Sequence, residues 1–188
     1  MVLFTSGTSN NQPKAVIGSH SATLRRIQWF HNTFQSYQRI IRKTKLTFVD
    51  GITELWCTIL DEKSTLIALK PNVLSFEGLH SCLYVQPNQI LLLPSQLHHL
   101  LILPKCNSLQ RIIVSGEQCS QLDIERIIEK YESNNVEIIN LYGQTETTGD
   151  VLYAILSSMD PSDAYVDNIV AVGKPILDTQ IYIDTSSD

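Results

Sequence analysis

Hydroxyl-bearing side chains crowd the start of the chain. In VLFTSGTSNNQPKAV (residues 2–16), Thr5, Ser6, Gly7, Thr8 and Ser9 offer hydroxyls and a permissive backbone, and Lys14 adds a cation. Backbone N–H groups, hydroxyl donors and an ammonium together suit a polyphosphate. The Walker pattern is excluded, because it needs a second glycine before the lysine and a hydroxyl after it. Here the residues are Gln12, Pro13, Lys14 and Ala15. Taken alone, the stretch reads more simply as a polar hairpin loop.

Three further stretches hold residues suited to chemistry. In FVDGITELW (48–56), Asp50 stands where a strand gives way to a helix. It could cap that helix, and Glu54 could be a first-turn acid facing the helix dipole. In VSGEQ (114–118), Ser115 and Gly116 let a ligand approach the backbone closely. The most informative stretch is NLYGQTETTGD (140–150), too polar and too long for a simple connector. Tyr142 offers a stacking face, Thr145 a phosphate donor and Glu146 a carboxylate for magnesium.

Bulk properties narrow the field. A formal net charge of −5 argues against nucleic acid as a partner, and RIIRKTK (39–45) reads as a short solvated stretch. Cys57, Cys82, Cys106 and Cys119 are scattered and form no C-x-x-C pair, as expected of reduced, mostly buried thiols in a cytoplasmic protein. No H-E-x-x-H occurs among the five histidines, which argues against a histidine-held metal. No apolar run approaches the length of a membrane span, so no membrane partner is expected.

The elements that must position these loops alternate in type. Strands are expected at 2–4, 15–17, 46–49, 65–69, 89–93, 111–115 and 136–140, with later ones at 151–156 and 179–183. Helices are expected at 21–34, from Ile52 to Leu60, and at 76–84, 95–103 and 120–131. Leu24, Ile27, Phe30 or His31, and Phe34 mark the buried side of the first helix; Leu55, Trp56, Ile59 and Leu60 mark that of the second. Ser120 stands where an N-cap belongs. A polar linker surrounds MDPSDAYVDN. Strand-helix alternation with continuous apolar strands predicts an α/β fold, a largely parallel sheet flanked by helices. Ligands then gather at the carboxyl ends of the strands.

TSGTSNNQPKAV, FVDGITELW, VSGE, NLYGQTET and VGKP, in that order and spacing, resemble the adenylate-forming superfamily of acyl-CoA synthetases, luciferases and nonribosomal peptide synthetase adenylation domains. The resemblance spans nearly the whole chain. It implies that residues 1–188 are a partial AMP-binding domain, the central segment of the large N-terminal core without its C-terminal subdomain. Such a segment is expected to be inactive and poorly soluble by itself.

The resemblance also implies a ligase that uses ATP and Mg²⁺ to convert a carboxylate into an acyl-adenylate, releasing pyrophosphate. Thr5, Ser6, Gly7, Thr8, Ser9 and Lys14 would hold the β- and γ-phosphates. Gly116 and Glu117 would line the adenine side, Tyr142 with Gly143 would present the adenine face, Thr145 would touch the α-phosphate, and Glu146 would bind the metal. Thr145, Glu146 and Lys14 are thus the catalytic candidates. His20 matches a position often occupied by histidine in the superfamily, though a capping role serves equally.

A narrower likeness concerns the substrate. Val49, Asp50, Thr53, Ile113, Ser115, Leu141, Gly149 and Asp150 form the pocket set, and most of it resembles β-alanine-activating domains. Thr53 and Gly149 depart from that pattern. Asp50 and Asp150 would share the substrate ammonium. A carrier domain bearing phosphopantetheine is an implied partner in the parent protein. The phosphate loop departs from the superfamily by one extra residue and by Ala15 in place of a glycine. An acyl-CoA ligase for another acid, or a non-catalytic nucleotide-binding module, are the alternatives.

Overall fold

Strands Gln89–Leu92 and Arg111–Val114 are buried at every residue, and around them the sheet is built. The computed structural model describes residues 1–5, 12–34, 39–69 and 75–184. The strands are β1 (Val2–Thr5), β2 (Lys14–Ile17), β3 (Arg39–Arg42), β4 (Thr65–Ala68), β5 (Gln89–Leu92), β6 (Arg111–Val114), β7 (Glu137–Gln144), β8 (Gly149–Ile155), β9 (Tyr165–Val166), β10 (Ile169–Val170) and β11 (Lys174–Pro175). The helices are α1 (His20–Thr33), α2 (Val49–Ile59), α3 (Phe76–Tyr84), α4 (Leu97–Ile102), α5 (Gln121–Tyr131) and α6 (Pro161–Ala164).

The main sheet runs β11-β8-β7-β6-β5-β3-β4. Its β4-β3-β5-β6-β7 part is parallel, whereas β8 and β11 join antiparallel. The expected mostly parallel α/β sheet is therefore present. Alternate strand residues serve two cores, as a pleat with period two requires. Ile90, Leu92, Ile112, Val114 and Ile138 meet Leu79, Leu97, Ile124 and Ile127 from α3, α4 and α5. Leu91, Ile113, Ile139 and Leu141 meet Ile27, Trp29 and Phe30 of α1 and Cys57 of α2. Each such fully buried aliphatic side chain contributes about 1.5–3 kcal/mol relative to exposure. No helix among the described residues is long and apolar enough to cross a membrane.

Several expectations need correction. RIIRKTK is not a solvated stretch: Ile40 and Ile41 are buried in β3, between β4 and β5. Two isoleucines between charged residues are too short a run for periodicity to reveal. Residues 46–49 form no strand: 46–48 are a turn and Val49 opens α2. The apolar stripe of α2 faces outward, with Trp56, Ile59 and Leu60 exposed, while Gly51, Thr53, Glu54, Cys57 and Thr58 are buried. Likewise Leu24 of α1 is exposed, and Arg26 and Trp29 lie inside.

Other boundaries shift too. Ser120 occupies the N-cap of α5 without a side-chain capping bond. Residues 179–183 form no strand; Lys174–Pro175 pairs with β8 instead. The linker around MDPSDAYVDN holds α6 and the small β9–β10 hairpin. The segment 140–150 is mostly not loop, because β7 runs through Gln144 and β8 begins at Gly149.

Candidate active site

Three elements converge at one buried point beside the α1–α2 face of the sheet. Arg26, on α1, is 5% exposed, and its Nη2 donates to Asp150 Oδ2 on β8. The same Nη2 lies 3.5 Å from Oδ1 of Asp50, the second residue of α2. Ser115, just past β6, is buried and donates its Oγ to Asp150 Oδ1 at 3.4 Å. Both oxygens of Asp150 are thereby engaged. Asp50 Oδ2 receives no hydrogen bond from the described residues, and Arg26 Nε is buried without a partner among them.

Burial pushes the Asp50 carboxyl up to about 6, and the charge of Asp150 adds to that, against the opposing pull of Arg26. Burial disfavours the charge on Arg26, but Asp150 and Asp50 outweigh it and raise its pKa. Asp50 does not cap α2: the N-cap is Phe48, with no side-chain bond.

Gly149 shapes this point directly. Its φ is +114°, and a Cβ there would lie 2.3 Å from Arg26 Nη1. The guanidinium thus sits against backbone, in a space that only glycine leaves open.

A second charged group braces the loop between β3 and α2. Glu54 Oε2 accepts from the backbone N–H groups of Lys43 (3.1 Å) and Thr44 (2.9 Å), and Oε1 accepts from Thr44 Oγ1 at 2.9 Å. Glu54 is therefore a buried anchor within α2, not a solvent-facing first-turn acid. Burial raises its pKa, against Lys43 and these bonds. Burial lowers the pKa of Lys43, whose Nζ lies 3.5 Å from Gln96 Oε1 beyond β5. Lys43 and Gln96 thus tie the loop after β3 to the loop after β5, where the connections diverge to opposite sides of β3.

Three of the pocket candidates, Thr53, Ile113 and Leu141, line a cavity of about 20 Å³ with Phe30 and Cys57, room for roughly one water molecule. Val49 opens α2, and its carbonyl accepts from Thr53 Oγ1 at 3.2 Å. Ser115, Gly149, Asp50 and Asp150 belong to the charged point above.

On the phosphate side, Lys14 of β2 and Glu146 of the turn after β7 come within 3.5 Å, their side chains 64% and 42% exposed. Thr5 ends β1, which pairs antiparallel with β2. Ser6, Gly7, Thr8 and Ser9 lie outside the described residues. Thr145 begins the tight 3₁₀ turn that carries Glu146. Tyr142 is exposed near the end of β7. At Gly143 a Cβ would lie 2.1 Å from the Gly149 carbonyl oxygen, so the close passage of β7 against β8 requires glycine. Gly116 (φ +89°) follows β6, and Glu117 accepts from the Ser95 backbone N–H at 3.0 Å. His20 is the exposed first residue of α1, whose N-cap is Ser19. Among the described residues no group of three or more His, Cys, Asp or Glu could hold a metal.

Sequence reasoning missed Arg26, Lys43 and Gln96. A signal existed for Arg26, because it shares a helix face with Trp29 and Phe30 at i+3 and i+4. A charge on a buried stripe demands a partner.

Comparison with known proteins agrees with this fold. The family model described as AMP-binding enzyme matches residues 1–187. The beta-alanyl-bioamine nonribosomal peptide synthetase ebony of Drosophila melanogaster is 31% identical, over 97% of this chain and 22% of its own length. The Vibrio cholerae adenylation domain AlmE, solved with glycyl-adenosine-5'-phosphate, superposes with a TM-score of 0.75 at 19% identity, covering 93% of this chain and 32% of that one. The Bacillus subtilis O-succinylbenzoate coenzyme A synthetase MenE, solved with ATP and magnesium ion, gives a TM-score of 0.74 at 19% identity, covering all of this chain and 38% of its own. The chain thus spans well under half the length of each of these proteins.

Proposed function

The chain belongs to the AMP-binding enzyme family, and on that premise we propose that it supplies the central segment of an AMP-forming adenylation domain for a small amino acid, β-alanine foremost. The observation that carries the amino-acid reading is the buried charge balance. Part-buried Asp50 and buried Glu54 and Asp150 face buried Arg26 and Lys43, which leaves one negative charge uncompensated. A buried charge without a partner is costly, and a substrate ammonium would balance it. The likeness to ebony supports β-alanine.

In the reaction the substrate carboxylate oxygen attacks the α-phosphorus of ATP, the bond to the pyrophosphate oxygen breaks, and that electron pair leaves with pyrophosphate. Thr5 to Ser9 and Lys14 hold the β- and γ-phosphates, and Thr145 the α-phosphate. Gly116, Glu117, Tyr142 and Gly143 hold the adenine. Glu146 suits a magnesium ion, since its exposed carboxylate is paired, among the described residues, only with an exposed lysine, and Mg²⁺ commonly takes one or two carboxylates plus phosphate oxygens. When bound, the metal would neutralise phosphate charge. In the parent protein, the acyl group would pass to a phosphopantetheine carrier domain.

ATP–pyrophosphate exchange tests the reading on the full-length protein with β-alanine, glycine, alanine, benzoate and a fatty acid. Exchange driven best by β-alanine is the expected result. Exchange driven by the aryl or fatty acid, or by none, would overturn it.

A further inference from the structure

The point where Arg26 meets Asp50 and Asp150 decides how many positive charges the substrate can carry. We propose that Arg26 is a specificity-determining residue: by engaging Asp150 it leaves Asp50 as the one carboxylate available to the substrate, so that the site takes one ammonium and rejects a second. The inference rests on the amino-acid reading above and refines it, because Asp50 and Asp150 do not share the ammonium equally.

The geometry makes the division. Asp150 is 3% exposed; one oxygen accepts from Arg26 Nη2 and the other from Ser115 Oγ. Its oxygens keep further lone pairs, but its charge is already matched by the guanidinium and its burial leaves a ligand little access. Asp50 meets Arg26 only at 3.5 Å through Oδ1, and its Oδ2 has no hydrogen bond from the described residues. Gly149 holds the guanidinium in place by leaving room for it against the β8 backbone.

The arginine does not sit in the arrangement that would bind carboxylates most strongly. A bidentate fork would use two nitrogens, whereas here Nη2 alone faces both acids and Nε is buried without a partner among the described residues. Its place is instead that of an internal cation standing where a second substrate ammonium would otherwise go. Removing it would leave Asp150 and Asp50 free together, a site for two positive charges. The paired acids would also favour the charged form of a second amino group.

The test is exchange on the full-length protein with β-alanine and 2,3-diaminopropionate, which differ by one amino group. Wild type is expected to prefer β-alanine. Arg26→Gln is expected to move the kcat/KM ratio toward the diamino acid by at least tenfold, and Arg26→Lys to restore the wild-type preference. Arg26→Gln with Asp150→Asn, which removes both charges, is expected to keep the wild-type preference and covers the case in which Arg26→Gln alone fails to fold. A ratio unchanged in Arg26→Gln, a fall in both substrates alike, or a shifted ratio in the double variant would overturn the proposal. Absence of amino-acid-driven exchange in wild type would instead overturn the reading beneath it.

Discussion

Arg26 and Asp150, 124 residues apart in sequence, form a buried ion pair that joins the first helix to the strand after the YGQTET turn. Removing one partner leaves a buried charge uncompensated, at a cost of about 3–5 kcal/mol. Arg26→Ala, which leaves both Asp150 and Asp50 without their cation, is therefore expected to lower the unfolding free energy in urea by that amount with little change in m-value. Replacing both residues with apolar ones of similar volume should cost much less.

Asp50 gives the site a pH dependence. Its carboxyl, ordinarily titrating near 3.8, is raised to about 6. The native state binds the extra proton between those values, so this group's contribution to stability is full below about 4 and is lost as pH rises through about 6. Substrate binding runs the other way, because an ammonium needs the carboxylate. We expect kcat/KM for β-alanine to fall below about pH 6, and Asp50→Asn to abolish exchange and flatten the stability profile between those limits.

Gly149 is intolerant of any side chain. Gly149→Ala meets both an unfavourable positive φ and the Arg26 guanidinium at 2.3 Å. Strain in that region costs about 1–3 kcal/mol, and displacing a buried arginine adds to it. Thermal unfolding is expected to show a clear drop in Tm, larger than that of Gly116→Ala, where the added Cβ would meet only the end of Leu93 at 3.2 Å.

Lys14 and Glu146 should separate stability from activity. The pair is exposed, and exposed pairs contribute only about 0–1 kcal/mol. Lys14→Ala and Glu146→Ala are expected to leave the denaturation midpoint nearly unchanged. Each should nonetheless reduce exchange by about 10²–10³, the typical cost of losing one stabilising contact to the reacting charge. A large loss of stability in either variant would assign the pair to the fold instead.

Much of the fold was legible because a buried sheet writes itself as uninterrupted apolar runs. QILL and RIIV became strands where expected, and FEGLHSCLY became a helix over its whole length. RIIR escaped notice because its buried part is two residues long. The stripe of α2 misled for a different reason: Glu54 faces inward to bind the Lys43 and Thr44 N–H groups, and Thr53 and Thr58, whose hydroxyls bond to α2 carbonyls, share that side, which leaves Trp56 and Ile59 exposed. A buried hydrogen-bonding anchor here overrode amphipathic pattern.

The sequence by itself determined which groups are available for chemistry. Hydroxyls and a lysine before α1, an acid entering α2, and tyrosine, threonine and glutamate at the end of a buried strand are local signals, legible because each residue type brings its own donors, acceptors and charge. Only the tertiary structure decided which charges answer one another. Arg26, Asp50 and Asp150 lie on three separate elements, and no local pattern encodes their meeting. Coulomb energy in a buried site depends on distance and exclusion of water, and packing α1 and α2 against the sheet sets both.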